Sequence, residues 1–98
     1  MTGRTKNLNY IMYYLYILLL NNKQLYTGTT DNLRRRFLEH QRGKVKSTQS
    51  RRPLKLLYYE GYLLKSDAQR RERFLKTTEG KRLLRQQIRD VLKQNKVI

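Results

Sequence analysis

Apolar and polar positions alternate between a few distinct regimes along this chain. Residues 12–20 read MYYLYILLL, tyrosines and aliphatics without a polar break, the pattern of a buried β-strand. Asn21, Asn22 and Lys23 carry turn chemistry, and residues 24–29, QLYTGT, resume an extended pattern, so a β-hairpin is expected. Its register is open: a three-residue turn at 21–23 puts Tyr16 and Tyr26 on one face, whereas a two-residue turn separates them. Thr30 or Asp31 is placed to cap a helix that runs to about Gln41, where Gly43 stops it. Residues 42–52, RGKVKSTQSRR, lack apolar spacing and read as an exposed basic loop. A third strand follows over 53–62, with Leu54, Leu56 and Tyr58 on one face. Ser66 and Gln69 have the spacing of a capping box, which predicts a helix from there to about Thr77. Beyond Thr78, Leu84, Ile88, Val91 and Leu92 mark the apolar stripe of a last helix whose other face is basic.

The resulting order, β-β-α-β-α-α, is that of an α+β fold: a small three-stranded antiparallel sheet flanked by helices. At 98 residues the chain is long enough for one modest core. Residues 1–9 are expected to be a flexible basic tail, and 10–98 a single domain.

Three groups of residues violate their surroundings. On the first helix, at 100° per residue, Leu33 and Phe37 mark the core side, yet Arg36 and His40 lie within about 60° of Leu33. Arg36 is either a cation snorkelling from a semi-buried edge or a site residue; His40 is either a helix-end residue favoured by the dipole or its companion. On the second helix Glu72 shares a stripe with Ala68 and Leu75, and a carboxylate there needs a partner: an intramolecular arginine or a hard divalent cation. Tyr16 and Tyr26 stand apart from the chain's other tyrosines only through their positions before Gly28.

Charge narrows the partners. Lys and Arg total 23 against 7 acids, a formal +16, a field that seeks polyanions. Nucleic acid is the favoured partner; a membrane surface suits poorly, since the apolar side of the last helix is needed over the sheet. No cysteine and a single histidine exclude thiolate chemistry and an ordinary zinc cage. The apolar run near the N-terminus is followed by Asn21, Asn22, Lys23 and Gln24 rather than a small-residue cleavage site, and it is shorter than the roughly 20 residues of a membrane span. A cytoplasmic protein is expected.

In this order the residues resemble the GIY-YIG nuclease family, from Tyr13 to about Gln86. Leu15-Tyr16-Ile17 stands where the first signature triplet belongs and Tyr26-Thr27-Gly28 where the second does. Arg36 follows eight residues past the glycine, His40 one turn later, and Glu72 lies on the penultimate helix. The likeness is to the short single-domain bacterial members, with no room for an added DNA-recognition domain. Two positions depart from the pattern: Leu15 replaces the first glycine, and the polar residue that follows the glutamate in many members has only Gln86 and Gln87 as candidates.

The resemblance implies a magnesium-dependent phosphodiesterase, with manganese as a substitute, acting as a DNA endonuclease of low sequence specificity; structure-specific work in repair or recombination fits the same reading. It implies Glu72 as the metal ligand, Arg36 on the scissile phosphate, Tyr26 or, second, Tyr16 as base, and His40 orienting a tyrosine hydroxyl or moving its proton. Lys44, Lys46, Arg51 and Arg52 would track the nucleic-acid backbone. The rival is a noncatalytic DNA- or RNA-binding protein on the same scaffold.

Overall fold

The computed structural model describes residues 11–97; the expected tail at 1–9 lies outside them. Strand β1, Tyr13–Leu19, pairs antiparallel with β2, Leu25–Thr30, and with β3, Lys55–Tyr62, in the order β2-β1-β3. β1 is central and buried from Leu15 onward, which is why its sequence shows no polar alternation.

The hairpin closes through the three-residue alternative. Leu20 donates its N–H to the Gln24 carbonyl at 2.9 Å, leaving 21–23 as the turn, and Lys23 adopts φ 70°. An αL residue closing such a turn is a familiar solution, even where a side chain makes it costlier than glycine. Tyr16 therefore lies opposite Gly28 and Leu18 opposite Tyr26, so the two tyrosines share a face.

β3 departs from expectation. A bulge between Ile17 and Leu18 pairs Ile17 with Tyr58 but Leu18 with Leu56, so Leu57 has no counterpart on β1. Leu56 and Tyr58 consequently point to opposite faces rather than one. Tyr58 packs on the main core, where Leu15 and Ile17 meet Leu75, Leu84, Ile88 and Leu92.

Helix α1, Leu33–Gln41, covers one face of the sheet; α2, Lys65–Leu75, α3, Thr78–Gln87, and α4, Arg89–Gln94, lie on the other. The cap of α1 is Asn32, whose Oδ1 accepts from Arg35 N at 3.0 Å, one or two residues later than expected. Thr30 instead accepts from the Asn32 amide at 3.1 Å, and Asp31 pairs with Arg35. The helix ends as a Schellman motif: Lys44 N–H reaches the Glu39 carbonyl at 2.9 Å and Gly43 N–H the His40 carbonyl at 3.1 Å, with Gly43 at φ 75°.

The expected capping box does not form. α2 starts at Lys65, so Ser66 already lies in its first turn, and Leu64 is the cap without a side-chain bond. Thr77, expected at the end of this helix, caps the next one by accepting from Gly80 N at 3.0 Å. The last apolar stripe is also divided. Ile88, at φ −112° and ψ 27°, separates α3 from α4, yet Leu84, Ile88 and Leu92 all remain in the core. That stripe is thus used by the sheet, and no helix among the described residues is long and apolar enough to cross a membrane.

Candidate active site

The face of the sheet beneath α1 holds a polar chain in a buried setting. Gly28 makes room for it: a Cβ there would sit 2.5 Å from the Tyr16 hydroxyl oxygen and 2.6 Å from Cζ. The missing side chain lets the Tyr16 ring lie across β2, with its hydroxyl toward that strand's outer edge. A glycine at that position is thus a packing requirement of the tyrosine opposite it.

The Tyr16 hydroxyl lies 2.8 Å from His40 Nε2, and His40 Nδ1 lies 2.8 Å from Thr48 Oγ1. Thr48 can in turn donate to the Val45 carbonyl at 3.5 Å, a weak contact. His40 and Thr48 are fully buried, and Tyr16 nearly so. Helix geometry delivers His40 because it sits one turn after Arg36 on the side of α1 nearest β2. The Arg36 guanidinium lies beside the Tyr16 hydroxyl and pairs with Glu39 at 3.0 Å.

The electrostatics follow from burial. Desolvation raises the Tyr16 pKa, an effect that Arg36 opposes in part and that Tyr26 and Glu72 reinforce. His40 is pushed down to about 4, first by burial and then by the charge of Arg36. At neutral pH the pair is therefore a protonated phenol against a neutral imidazole, both held without net charge.

Tyr26 joins the cluster as a ring. Its centroid is 6.4 Å from that of Tyr16 and 5.3 Å from that of His40. Its hydroxyl accepts from Ser47 at 3.4 Å, so His40 bonds the first tyrosine and only packs against the second.

Glu72 approaches from the opposite layer. It accepts from Thr29 Oγ1 at 3.4 Å and from Lys76 Nζ at 3.0 Å, so its internal partner is an exposed lysine, where the sequence offered an arginine or a cation. Such a pair is weak. Because β2 is an edge strand, groups above and below the sheet can converge beyond it. A cleft of about 260 Å³ there is lined by Thr29, Thr30, Asp31, Arg35, Lys65 and Gln69 among others, and of the residues singled out for chemistry Arg36 alone reaches it. No cluster of three or more His, Cys, Asp or Glu exists among the described residues. One carboxylate with a neighbouring hydroxyl suits magnesium, which keeps most of its waters, and does not suit zinc.

The basic loop is less open than its composition suggests. Lys44 and Lys46 are exposed. Arg51 donates to Gln24 Oε1 at 2.9 Å, while Arg52 donates to the carbonyls of Gln49 at 3.0 Å and Gln41 at 3.3 Å. Asn21 clasps this segment to the hairpin through the carbonyls of Arg51 and Arg52. Residues 49–51 form a 3-10 turn, with Val45 and Thr48 buried beneath the loop.

Sequence reasoning missed Thr48, whose only signal was a β-branched hydroxyl in an otherwise solvated run. It also missed Lys76, which with Lys81 and Arg85 from the basic face expected beyond Thr78 lines a second groove of about 450 Å³ along β2, together with Tyr26 and Thr27. Of the two glutamine candidates, Gln87 is bonded to Tyr58 and Arg71 on the β3 side of the sheet, away from the edge where Tyr16 and Glu72 converge.

The family profile described as the GIY-YIG catalytic domain matches residues 12–86. A UPF0213 protein of Pediococcus acidilactici is 38% identical over 89 residues, covering 88% of this chain and 86% of its own. A UPF0213 protein of Clostridium perfringens is 44% identical over 66 residues, 66% of this chain and 71% of that protein. The solution NMR structure of a UPF0213 protein from Bacillus halodurans is 33% identical, covers 74% of this chain and 81% of its own, and superposes with a TM-score of 0.49.

Proposed function

The chain belongs to the GIY-YIG family of nuclease-type catalytic domains, among the small bacterial UPF0213 proteins, and from that premise we propose that it is a magnesium-dependent DNA endonuclease of low sequence specificity. The observation that carries this reading is the convergence at the edge of β2. A tyrosine hydrogen-bonded to a neutral imidazole and flanked by a guanidinium lies on one side, with a carboxylate on the other.

Hydrolysis of a phosphodiester needs a proton removed from the attacking water and charge neutralised on the phosphate. Tyr16 takes the proton from water as it gives its own to His40 Nε2; the new P–O bond forms as the bond to the 3′ oxygen breaks. His40 then returns the proton to solvent, and the 3′ oxygen is protonated as it departs. Arg36 holds the non-bridging oxygens. Burial is the first cause of the low His40 pKa and the charge of Arg36 the second; a phosphate against Arg36 offsets the second and makes the imidazole a stronger base once substrate is present. Tyr26 packs edge-on against His40 and tilted against Tyr16, and keeps both rings in place.

Glu72, with Thr29 beside it, is the residue that would hold the divalent cation. When bound, that ion supplies Lewis-acid neutralisation of the phosphate and the leaving oxygen. Lys44, Lys46, Lys81 and Arg85 would follow the backbone on either side without reading bases.

A second reading, nucleic-acid binding without cleavage, is favoured by one observation: Glu72 already has Lys76 as a partner. The test is a panel of labelled DNA and RNA substrates with magnesium, manganese or chelator, run on wild type and Glu72→Gln alongside melting and binding measurements. Metal-dependent nicking that collapses in a folded, DNA-binding variant supports the endonuclease. Undiminished nicking by that variant removes Glu72 from the mechanism, and a wild type that binds everything and cuts nothing favours the second reading.

A further inference from the structure

We infer that Thr48 is a positioning residue that holds His40 in its Nδ1–H tautomer, so that Nε2 faces Tyr16 as a proton acceptor. The protons and lone pairs of the buried chain must all be matched. Tyr16 has one proton, and the Arg36 guanidinium near its oxygen offers donors only. His40 Nε2 is the acceptor the structure provides for that proton, at 2.8 Å. Were Nε2 protonated instead, two donors would converge on the Tyr16 oxygen and its own proton would be left without a partner in a nearly closed site, a cost buried polar groups avoid.

The other end of the ring decides which form is present. With Nδ1 protonated, His40 donates to Thr48 Oγ1 at 2.8 Å, which accepts it, while the Thr48 proton keeps only a weak 3.5 Å contact to a Val45 carbonyl shared with two amides. Every proton in the chain then points the same way, from Tyr16 into the loop. Free imidazole favours the opposite tautomer, with Nε2 protonated, so this arrangement must be imposed by the fold. The loop is built to impose it. The Thr48 and Gln49 amides both bond the Val45 carbonyl, at 3.1 and 2.9 Å, and Asn21 fastens the following residues to the hairpin. A fully buried threonine in a run of exposed polar residues is thereby explained.

This inference deepens the endonuclease reading, yet it is tested independently of activity. The chain has one histidine, so the full-length protein labelled with 15N-histidine gives one pair of ring-nitrogen signals, readable without assignment. At neutral pH the expected spectrum shows Nδ1 carrying the proton and Nε2 bare. In Thr48→Val, which keeps the branched shape and loses the hydroxyl, the tautomer should shift toward Nε2–H; in Thr48→Ser the wild-type pattern should return. Where cleavage is measured, Thr48→Val should lower kcat by about 10- to 100-fold with little change in KM, and Thr48→Ser should recover most of it. A wild-type spectrum with Nε2 protonated overturns the inference whether or not the protein cuts DNA. So does a folded Thr48→Val that keeps the Nδ1–H form. Absence of cleavage with the expected tautomers leaves Thr48 in its role and overturns the endonuclease reading alone.

Discussion

A buried polar cluster and a half-buried one lie on opposite faces of the same sheet, and both are built around tyrosines. Beneath α1, Tyr16, His40 and Thr48 form an uncharged chain that ends at Arg36 and the cleft beyond β2. On the other face Glu60 accepts from Tyr58 and Tyr62, each at 2.6 Å, and from Arg71 at 3.0 and 3.1 Å, while Gln87 ties Arg71 to Tyr58. The second cluster is closed. Both carboxylate oxygens have two donors, and burial together with the adjacent carboxylate pushes Tyr58 and Tyr62 up to about 12. Neither tyrosine can lose a proton near neutrality, because the charge would appear beside another negative charge. The first cluster is open at one end, and its tyrosine faces a neutral acceptor and a cation. On the proposed mechanism, what separates a structural tyrosine from a chemical one is whether its hydroxyl bonds a carboxylate or a neutral imidazole, and whether the cluster ends in protein or at a cleft.

The largest effect expected from this contrast is on cleavage. Tyr16→Phe removes the hydroxyl that the proposed proton path requires and should lower the nicking rate by about 10²- to 10⁴-fold. Tyr58→Phe deletes a hydroxyl of the same kind and should leave the rate per folded molecule unchanged, while costing about 1 kcal/mol of stability. Single-turnover nicking and urea unfolding on both variants check the pair. Equal losses of activity would erase the distinction between the clusters.

A smaller effect separates them by pH. His40 is depressed from 6.5 to about 4, so between those values the unfolded chain takes up a proton that the folded one refuses. Stability is then fully present above pH 6.5 and falls by about 3 kcal/mol as pH drops to 4. Burial pushes Glu60 up, but its bonds to Arg71, Tyr58 and Tyr62 outweigh this and leave its pKa lowered from 4.5. Its contribution is present above 4.5 and lost as pH falls below that, through the folded value. Urea unfolding from pH 7.5 to 3.5 should show the first loss vanish in His40→Gln, with the second retained.

How far each cluster was legible in the sequence follows from the distance over which its signal acts. The hairpin, the α1 stripe and the Ala68–Glu72–Leu75 alignment are local periodicities, and all are observed. Arg36, His40 and Glu72 stood out because charged or titratable groups sat on apolar stripes. The bulge that turns Leu56 and Tyr58 to opposite faces is marked only by the doublets Leu56-Leu57 and Tyr58-Tyr59, which interrupt the alternation in LKLLYYEG without showing which residue is skipped. Glu60 and Arg71 come from separate elements, and only the folded sheet brings them together. Thr48 was hidden for a related reason. Its burial is set by the hairpin clasp through Asn21, far from it in sequence, while its neighbours are solvated. The helix starts were misread by a residue or two because several hydroxyl and amide side chains compete for each cap, and packing chooses among them.

The smallest effect carries the open-versus-closed contrast into the basic loop. Arg51 and Arg52 spend their donors on Gln24, Gln41 and Gln49, whereas Lys44 and Lys46 are exposed cations on the same loop. A cation already engaged by the fold has fewer donors left for a phosphate, and removing it disturbs the loop. An exposed one can exchange counterions for a phosphate without disturbing anything. Lys44→Gln and Lys46→Gln should each weaken DNA binding a few-fold at moderate salt, lower the log–log salt slope by about one unit, and leave the melting temperature unchanged. Arg52→Gln should do the reverse, costing about 1 kcal/mol of stability with little change in slope. Fluorescence anisotropy across a salt series, paired with thermal melts, measures both quantities on one set of proteins. If Arg52→Gln lowers the slope as much as the lysine variants do, its guanidinium leaves the Gln41 and Gln49 carbonyls when DNA arrives. The clasp over Thr48 would then have to loosen as substrate binds, and the loop would belong with the open cluster rather than the closed one.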